Sequence, residues 1–172
     1  MLIVGISGKK RSGKDEAADQ IILALQAGFK TAFADALKRE VADACCVSVE
    51  TIEENKAVFR PVLQWWGSNF RRDFQGQTTY WIDQVVFKLA TSDAHLAVIS
   101  DVRFKNEFNF VKDRHGIMLR IESNRCNMDD QHPSETELDD ATFDYVLRND
   151  GTLEEFRKAV GVIATKVIAQ RL

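Results

Sequence analysis

Gly8-Lys9-Lys10-Arg11-Ser12-Gly13-Lys14-Asp15 sits directly behind the apolar run Leu2-Ile3-Val4-Gly5-Ile6. A strand entering a glycine-bounded loop that ends in Gly-Lys, with helix-forming Glu16-Ala17-Ala18-Asp19 after it, is the sequence form of a P-loop. Gly8 and Gly13 allow backbone angles that a Cβ disfavours, so successive N–H groups can turn inward around phosphate oxygens. The next helix adds unpaired N–H groups and its positive dipole end. Lys14 supplies a flexible ammonium for a β- or γ-phosphate. Asp15 stands where Ser or Thr usually helps to hold Mg²⁺. A carboxylate also serves that ion, directly or through water, and Lys9, Lys10 and Arg11 are close enough to offset its charge.

The totals narrow the class. A chain of 172 residues with 45% apolar and 28% charged residues reads as a single globular domain. Its net charge of −3, without a basic tail, disfavours a general nucleic-acid binder held by phosphate contacts. No apolar run reaches the length of a membrane span, and the amino terminus reads as a strand rather than a signal peptide. Cys45, Cys46 and Cys126 lack metal-ligand spacing and read as reduced thiols of a cytosolic protein, with Cys45 and Cys46 packed on a helix.

Downstream of the loop the pattern alternates. A helix is expected from about Gly13 to Ala27, then a short strand from Phe29 to Ala34. Asp35, at that strand's carboxyl end, either contacts a ligand or caps the helix Ala36 to Cys46; Lys38 follows in its first turn. Thr51-Ile52-Glu53-Glu54 has the form of a capping box. A helix from about Arg60 to Phe74 places Pro61 in its first turn. At about 3.6 residues per turn, Phe59, Leu63, Trp66, Phe70 and Phe74 share one stripe, a core face. Arg60, Gln64, Gly67 and Arg71 share the adjacent one, where two guanidinium forks either suit a bound phosphate or meet carboxylates on a surface helix. Trp65 lies off the core stripe, free to stack on a ligand or on its neighbours. Tyr80 to Thr91 reads as a further helix with Trp81 in the core.

His95 to Asp101 reads as a buried parallel strand ending in a carboxylate. Behind a P-loop, Asp101 is placed to reach Mg²⁺ or its waters, with Arg103 at the same sheet edge. A helix Phe104 to Asp113 and a strand Gly116 to Ile121 follow. The polar stretch from about 122 to 142, with Arg125, Asp129, Asp130, His132, Pro133, Ser134 and Glu135, is expected to be disordered or a lid. Arg125 then either stabilises transition-state charge or is a solvated loop arginine. His132 has no companion ligands at metal spacing and reads as a hydrogen-bonding residue. Asp144 to Leu147 is the last strand. Thr152-Leu153-Glu154-Glu155 is a second capping box, opening a helix with Leu153, Phe156, Val160, Ile163 and Val167 on one face. Repeated strand–helix order predicts an α/β fold: a central parallel sheet with helices on both faces.

With these residues in view the chain resembles the phage-type deoxynucleoside monophosphate kinases over nearly its whole length. The resemblance rests on the loop with its Asp15, on Ala36-Leu37-Lys38, and on Leu63-Gln64-Trp65-Trp66-Gly67 with Arg71-Arg72 and Tyr80-Trp81. It continues in Asp101-Val102-Arg103-Phe104-Lys105-Asn106-Glu107, His132-Pro133-Ser134-Glu135 and Asn149-Asp150-Gly151-Thr152-Leu153. Gly-Lys-Asp is typical of this group and of the similar phosphomevalonate kinases. Lys105 departs from the family's usual proline, and the lid matches least well. The resemblance implies a three-layer P-loop kinase fold and transfer of the γ-phosphoryl group of ATP, with Mg²⁺, to a deoxynucleoside 5′-monophosphate. It implies that Gly8, Lys9, Arg11, Ser12, Gly13, Lys14 and Asp15 hold the ATP phosphates and that Asn149, Asp150, Gly151 and Thr152 lie against its adenine. Asp15 and Asp101 would serve the metal, and Lys14, Arg103 and Arg125 the transferring group. Asp35, Lys38, Arg60, Gln64, Trp65 and Arg71 would face the acceptor, within a helical region at about 36–92. The enzyme would work in the cytoplasm, the host's if phage-encoded, and a homodimer is compatible with the sequence. A kinase for a phosphorylated non-nucleotide explains Gly-Lys-Asp equally well but gives Gln64 and the tryptophans no role. A nucleotide-binding switch needs neither the paired arginines nor an arginine-bearing lid.

Overall fold

The runs Leu2–Ile6, Leu96–Ile99 and Ile117–Ile121 are apolar without polar alternation, save for Gly5 and Arg120, as strands covered on both faces must be. In the computed structural model, which describes residues 1–126 and 130–172, they lie at the centre of a five-stranded sheet. The strands are β1 (Leu2–Ser7), β2 (Phe29–Thr31), β3 (Leu96–Ile99), β4 (Ile117–Glu122) and β5 (Tyr145–Arg148). Their order is β2-β3-β1-β4-β5 and every pairing is parallel. Parallel neighbours require crossovers, and helices supply them.

One face of the sheet is covered by α1 (Lys14–Leu25) and α8 (Leu153–Ile163). There Ala17, Ala18, Ile21, Phe156 and Val160 pack on Val4, Ile6, Leu96, Val98, Ile117, Leu119 and Ile121. Each such fully buried aliphatic side chain contributes about 1.5–3 kcal/mol. The alternate residues of β1 and β4 turn the other way, where α6 (Lys105–Asp113) packs against both strands. Helix, sheet and helix make the three layers of a P-loop kinase fold. This unit comprises Met1–Ala32 and Ser92–Leu172.

Phe33–Thr91 form a second unit, entirely helical. It contains α2 (Ala34–Cys45), α3 (Val49–Glu54), α4 (Lys56–Gln64), a π-helical stretch Trp65–Phe74 and α5 (Tyr80–Ala90). Its core is Val41, Ala42 and Ile52, with Leu37, Val47, Val49, Phe59, Leu63 and Trp66 packed around them. No helix among the described residues is long and apolar enough to cross a membrane.

Several local expectations are corrected. Asp35 is not at the cap position: α2 starts at Ala34 with Phe33 before it, so Asp35 lies inside the first turn. The cap of α3 is Ser48, whose hydroxyl accepts from the Thr51 N–H at 3.1 Å, not Thr51 itself. α4 begins at Lys56, which puts Pro61 in the helix interior, where it has no N–H to give back to the preceding turn. The chain then widens into π turns, as in the Gln75 N–H bond to the Phe70 carbonyl. Each i→i+5 turn takes in one residue more than an α-turn, so the apolar stripe loses its phase. Phe59, Leu63 and Trp66 reach the core, while Phe74 is 83% exposed. Cys45 and Cys46 are exposed at the end of α2 rather than packed, and Leu153 is half exposed. Within the polar stretch the structure describes the short α7 (Pro133–Thr136) and the buried Glu135 and Leu138. Asp129, read as part of that lid, falls outside the described residues.

Candidate active site

The glycine loop leaves β1 at its carboxyl end, and its two glycines are sterically required. Gly8 has φ +152° and Gly13 φ +104°. A Cβ on Gly8 would lie 2.3 Å from the Ile121 carbonyl oxygen, and one on Gly13 would lie 2.5 Å from Asn149 Nδ2. Arg11, between them, is also left-handed at φ +66°. Lys14 is buried, and its Nζ donates to the Gly8 and Lys9 carbonyls at 2.8 Å each, so the ammonium is folded back across the mouth of the loop. Burial, and then the charge of Arg103, lower its pKa from the ordinary 10.5 to about 8, against the opposing pull of Glu135, Asp15 and Asp101. The Ser12 hydroxyl is buried without a hydrogen-bond partner. An orphaned donor inside a glycine-walled loop that carries a buried lysine fits a bound oxyanion.

The Asp101 side of the site is set by the sheet. The Val102 N–H donates to the Ile6 carbonyl at 3.0 Å, so the turn after β3 is tied to the end of β1. The Ser100 hydroxyl donates to Asp15 Oδ1 at 3.1 Å. Asp15 and Asp101 both act electrostatically on Lys14, which places two carboxylates around one ammonium. Among the described residues no cluster of three or more His, Cys, Asp or Glu side chains could hold a metal alone. Two carboxylates fit a cation that draws its remaining ligands from phosphate and water, as Mg²⁺ does.

Glu135 closes the other side. Its carboxylate accepts from the Lys10 backbone N–H at 2.9 Å and forms a short ion pair with Arg103 Nη1. Arg103 Nη1 also donates to the Ser134 carbonyl at 3.1 Å. Lys9 Nζ donates to the Glu135 carbonyl at 2.5 Å and to Asp139, which Arg120 also contacts. Burial raises the Glu135 pKa, but Arg103, the Lys10 N–H and Lys14 outweigh it and hold the carboxyl below its usual range. His132 does hydrogen-bond locally, its Nδ1 pairing with the Ser134 hydroxyl at 2.8 Å.

Asn149, Asp150, Gly151 and Thr152 form the turn after β5. Asn149 Nδ2 donates to the Ser12 carbonyl at 2.9 Å, joining this turn to the loop. Thr152 caps α8, with Glu155 completing the box. The exposed Arg125 leans on the same turn, donating from Nη2 to the Gly151 carbonyl at 2.5 Å and to the Asp150 carbonyl at 3.2 Å. Arg125 therefore lies against the 149–152 turn, while Arg103 is the arginine whose charge reaches Lys14.

The residues expected to face an acceptor all belong to the helical unit. Asp35 pairs with Lys88 at 3.3 Å and Lys38 with Glu53 at 2.5 Å. Arg71 donates to Glu40 Oε2 from Nε at 3.1 Å and from Nη2 at 2.8 Å, and stacks over the Tyr80 ring at 4.4 Å. Glu40 also accepts from Trp66 Nε1 at 2.9 Å and from the Tyr80 hydroxyl. Burial raises the Glu40 pKa, but these donors outweigh it and keep the carboxyl ionised. Trp65 is half exposed and stacks on Phe70 at 5.5 Å, while Arg60 and Gln64 are half-buried on α4. The close approach that Gly67 permits is to Leu37 of α2. Glu40 and the ligating role of Glu135 escaped the sequence reading. Glu40 carries no motif, and its partners lie 26 to 40 residues away along the chain.

The chain is similar to known proteins over most of its length. Residues 46–160, well over half of the chain, match the family described as deoxynucleotide monophosphate kinase. A curated relative from Acanthamoeba polyphaga mimivirus, "Putative deoxynucleotide monophosphate kinase", is 34% identical over 91% of this chain and 92% of its own. Among solved structures, shikimate kinase from Aquifex aeolicus superposes with a TM-score of 0.50 at 16% identity, covering 98% of this chain and 99% of that one. Shikimate kinase from Acinetobacter baumannii, in complex with shikimate, gives 0.54 at 14% identity, covering 100% and 96%. At such identities the two structures share the fold alone. The family match does not favour a phosphorylated non-nucleotide acceptor or a switch without an acceptor. This chain belongs to the deoxynucleotide monophosphate kinase family, ATP-using enzymes built here on the P-loop kinase fold.

Proposed function

We propose that the γ-phosphoryl group of ATP is transferred to the 5′-phosphate of a deoxynucleoside monophosphate, with the residues of both units in the following roles. The observation that carries the reading is the buried Lys14 folded over a loop that only glycine can form, beside an unpartnered Ser12 hydroxyl. The loop amides of residues 8–13 receive the β- and γ-phosphates. Lys14 exchanges its two carbonyl partners for phosphate oxygens, and Lys9 and Arg11 add positive charge at the rim. Asn149 to Thr152 lie beside the adenine. Asp15 and Asp101 are the residues that would hold Mg²⁺, which neutralises phosphate charge when bound.

Arg103 neutralises charge on the transferring group, and Arg125 joins it from the 149–152 turn. Arg60 and Arg71 hold the acceptor phosphate, Gln64 hydrogen-bonds the base, and Trp65 offers a ring for stacking. Asp35 and Lys38 complete that surface. The acceptor is already an oxyanion, so no strong general base is needed; positioning and charge neutralisation carry the reaction.

Coupled ADP release with a panel of deoxynucleoside and ribonucleoside monophosphates tests the proposal. Turnover with at least one deoxynucleoside monophosphate is expected. ATP binding without turnover on any of them would reject it.

A further inference from the structure

Glu135 engages, at the glycine loop, two donors that a phosphate would also use. Its carboxylate takes a loop amide, the Lys10 N–H, at 2.9 Å, and the guanidinium of Arg103. It also acts electrostatically on Lys14. The Glu135 side chain is only 3% exposed, so this is an anion held within the site rather than a surface ion pair. The Lys10 N–H and the Arg103 guanidinium are thus held in place around the Glu135 carboxylate. Two further anchors keep that anion there: Lys9 Nζ on the Glu135 carbonyl and Lys9 Nζ on Asp139.

Resting on the reading of this loop as the ATP site, we propose that Glu135 is a positioning residue, a built-in stand-in for phosphate that holds Arg103 and the loop in register and is displaced when nucleotide arrives. Two anions cannot share one set of donors, because each repels the other where water is excluded. Nucleotide binding therefore draws Arg103 off Glu135 and frees the His132–Ala141 segment from the Lys10 amide. The arginine reaches the phosphates already oriented, and the cationic loop is kept compact until then. The stand-in lowers apparent affinity for triphosphate by the fraction of molecules in which it occupies the site.

Glu135→Gln keeps the shape and removes the charge. With ATP and inorganic tripolyphosphate as probes, equilibrium titration is expected to show both binding about tenfold more tightly to the variant than to wild type, as for a stand-in occupying the site in about nine molecules of ten. A purely structural role would lower thermal stability without tightening either ligand. Glu135→Asp, which withdraws the charge by one methylene, is read the same way should the first variant not fold. Crystals of the wild-type protein soaked in tripolyphosphate give an independent readout, with Glu135 expected out of hydrogen-bond reach of the Lys10 nitrogen. Unchanged affinity in the variants, or Glu135 still on that nitrogen with tripolyphosphate bound, overturns the proposal while leaving the ATP site standing. If wild-type protein binds neither probe, the loop reading falls and the proposal with it.

Discussion

Two carboxylates, one in each unit, neutralise an arginine in different ways. In the sheet unit Glu135 is 3% exposed, pairs with Arg103, accepts from the Lys10 amide and is held ionised by Arg103 and, more weakly, by the charge of Lys14. In the helical unit Glu40 is 21% exposed and holds Arg71 among Trp66 and Tyr80. The first pair takes its donors from the backbone of the loop and from Arg103 just beyond β3, with Glu135 brought to them by α7. The second is organised by side chains on three helical segments, α2, the π turn and α5, whose positions depend on one another. A backbone donor fixes the point at which an anion is held, whereas a network of side chains can also rearrange among its own members. Arg71 already has alternatives within reach, Gln75 Oε1 at 2.9 Å and Gln77 Oε1 at 3.2 Å.

The contrast can be broken most sharply at Lys14. Lys14→Met is expected to cut kcat/KM by about 10²–10³-fold, the loss typical of a donor aimed at transition-state charge. It should leave Tm unchanged or higher, because a desolvated ammonium is exchanged for an apolar chain of similar length. A fall in Tm alongside activity would mean that the lysine is structural. Next in size, Arg60→Ala should raise the acceptor KM on the order of tenfold and the ATP KM far less. Equal effects on both would remove Arg60 from the acceptor surface.

Lys14 also gives the sheet unit a pH signature near 8. With a free-protein pKa of about 8 and a bound state that requires the ammonium, ATP affinity should weaken as pH rises above about 8. Calorimetry in buffers of different ionisation enthalpy should record proton uptake on binding there. Folding runs the other way. The unfolded lysine binds its proton up to about 10.5, so this group makes folding more favourable as pH rises from 8 towards that value. Glu40→Ala probes the helical network and should cost about 1–3 kcal/mol in urea unfolding, since it leaves the Arg71, Trp66 and Tyr80 donors unmatched. Smallest of all, Gly67→Ala should cost about 1 kcal/mol or less: the one tight approach among its Cβ's nearest neighbours is to Leu37 Cδ2, the movable tip of a side chain, at 2.9 Å. A larger loss would mean that α2 and the π turn are as rigid as the loop.

How much could be read in advance differs between the units for the same reason. β1, the glycine loop, the buried run before Asp101 and the Thr152–Glu155 box depend on neighbours a few residues apart, and each stands where its residues indicated. The helix after Asn55 does not. Its stripe was legible through Phe59, Leu63 and Trp66, but the widening after Pro61 carried Phe74 to the surface. A change from i→i+4 to i→i+5 bonding has no signature in side-chain period until it has happened. Ser48 won the α3 cap over Thr51 because the helix began three residues earlier than the capping-box pattern implied.

The amino-acid order alone determined the parallel α/β architecture, the glycine loop with Lys14 and Asp15, and the carboxylate just beyond β3, since strand burial, glycine φ and strand-end chemistry are local properties. Tertiary packing decided which carboxylate meets which arginine. Glu135 reaches the Lys10 amide across 125 residues, and Glu40 reaches Arg71 across 31. Such pairings are set by where desolvation leaves a charge no cheaper partner, and only the folded chain brings those partners within reach of one another.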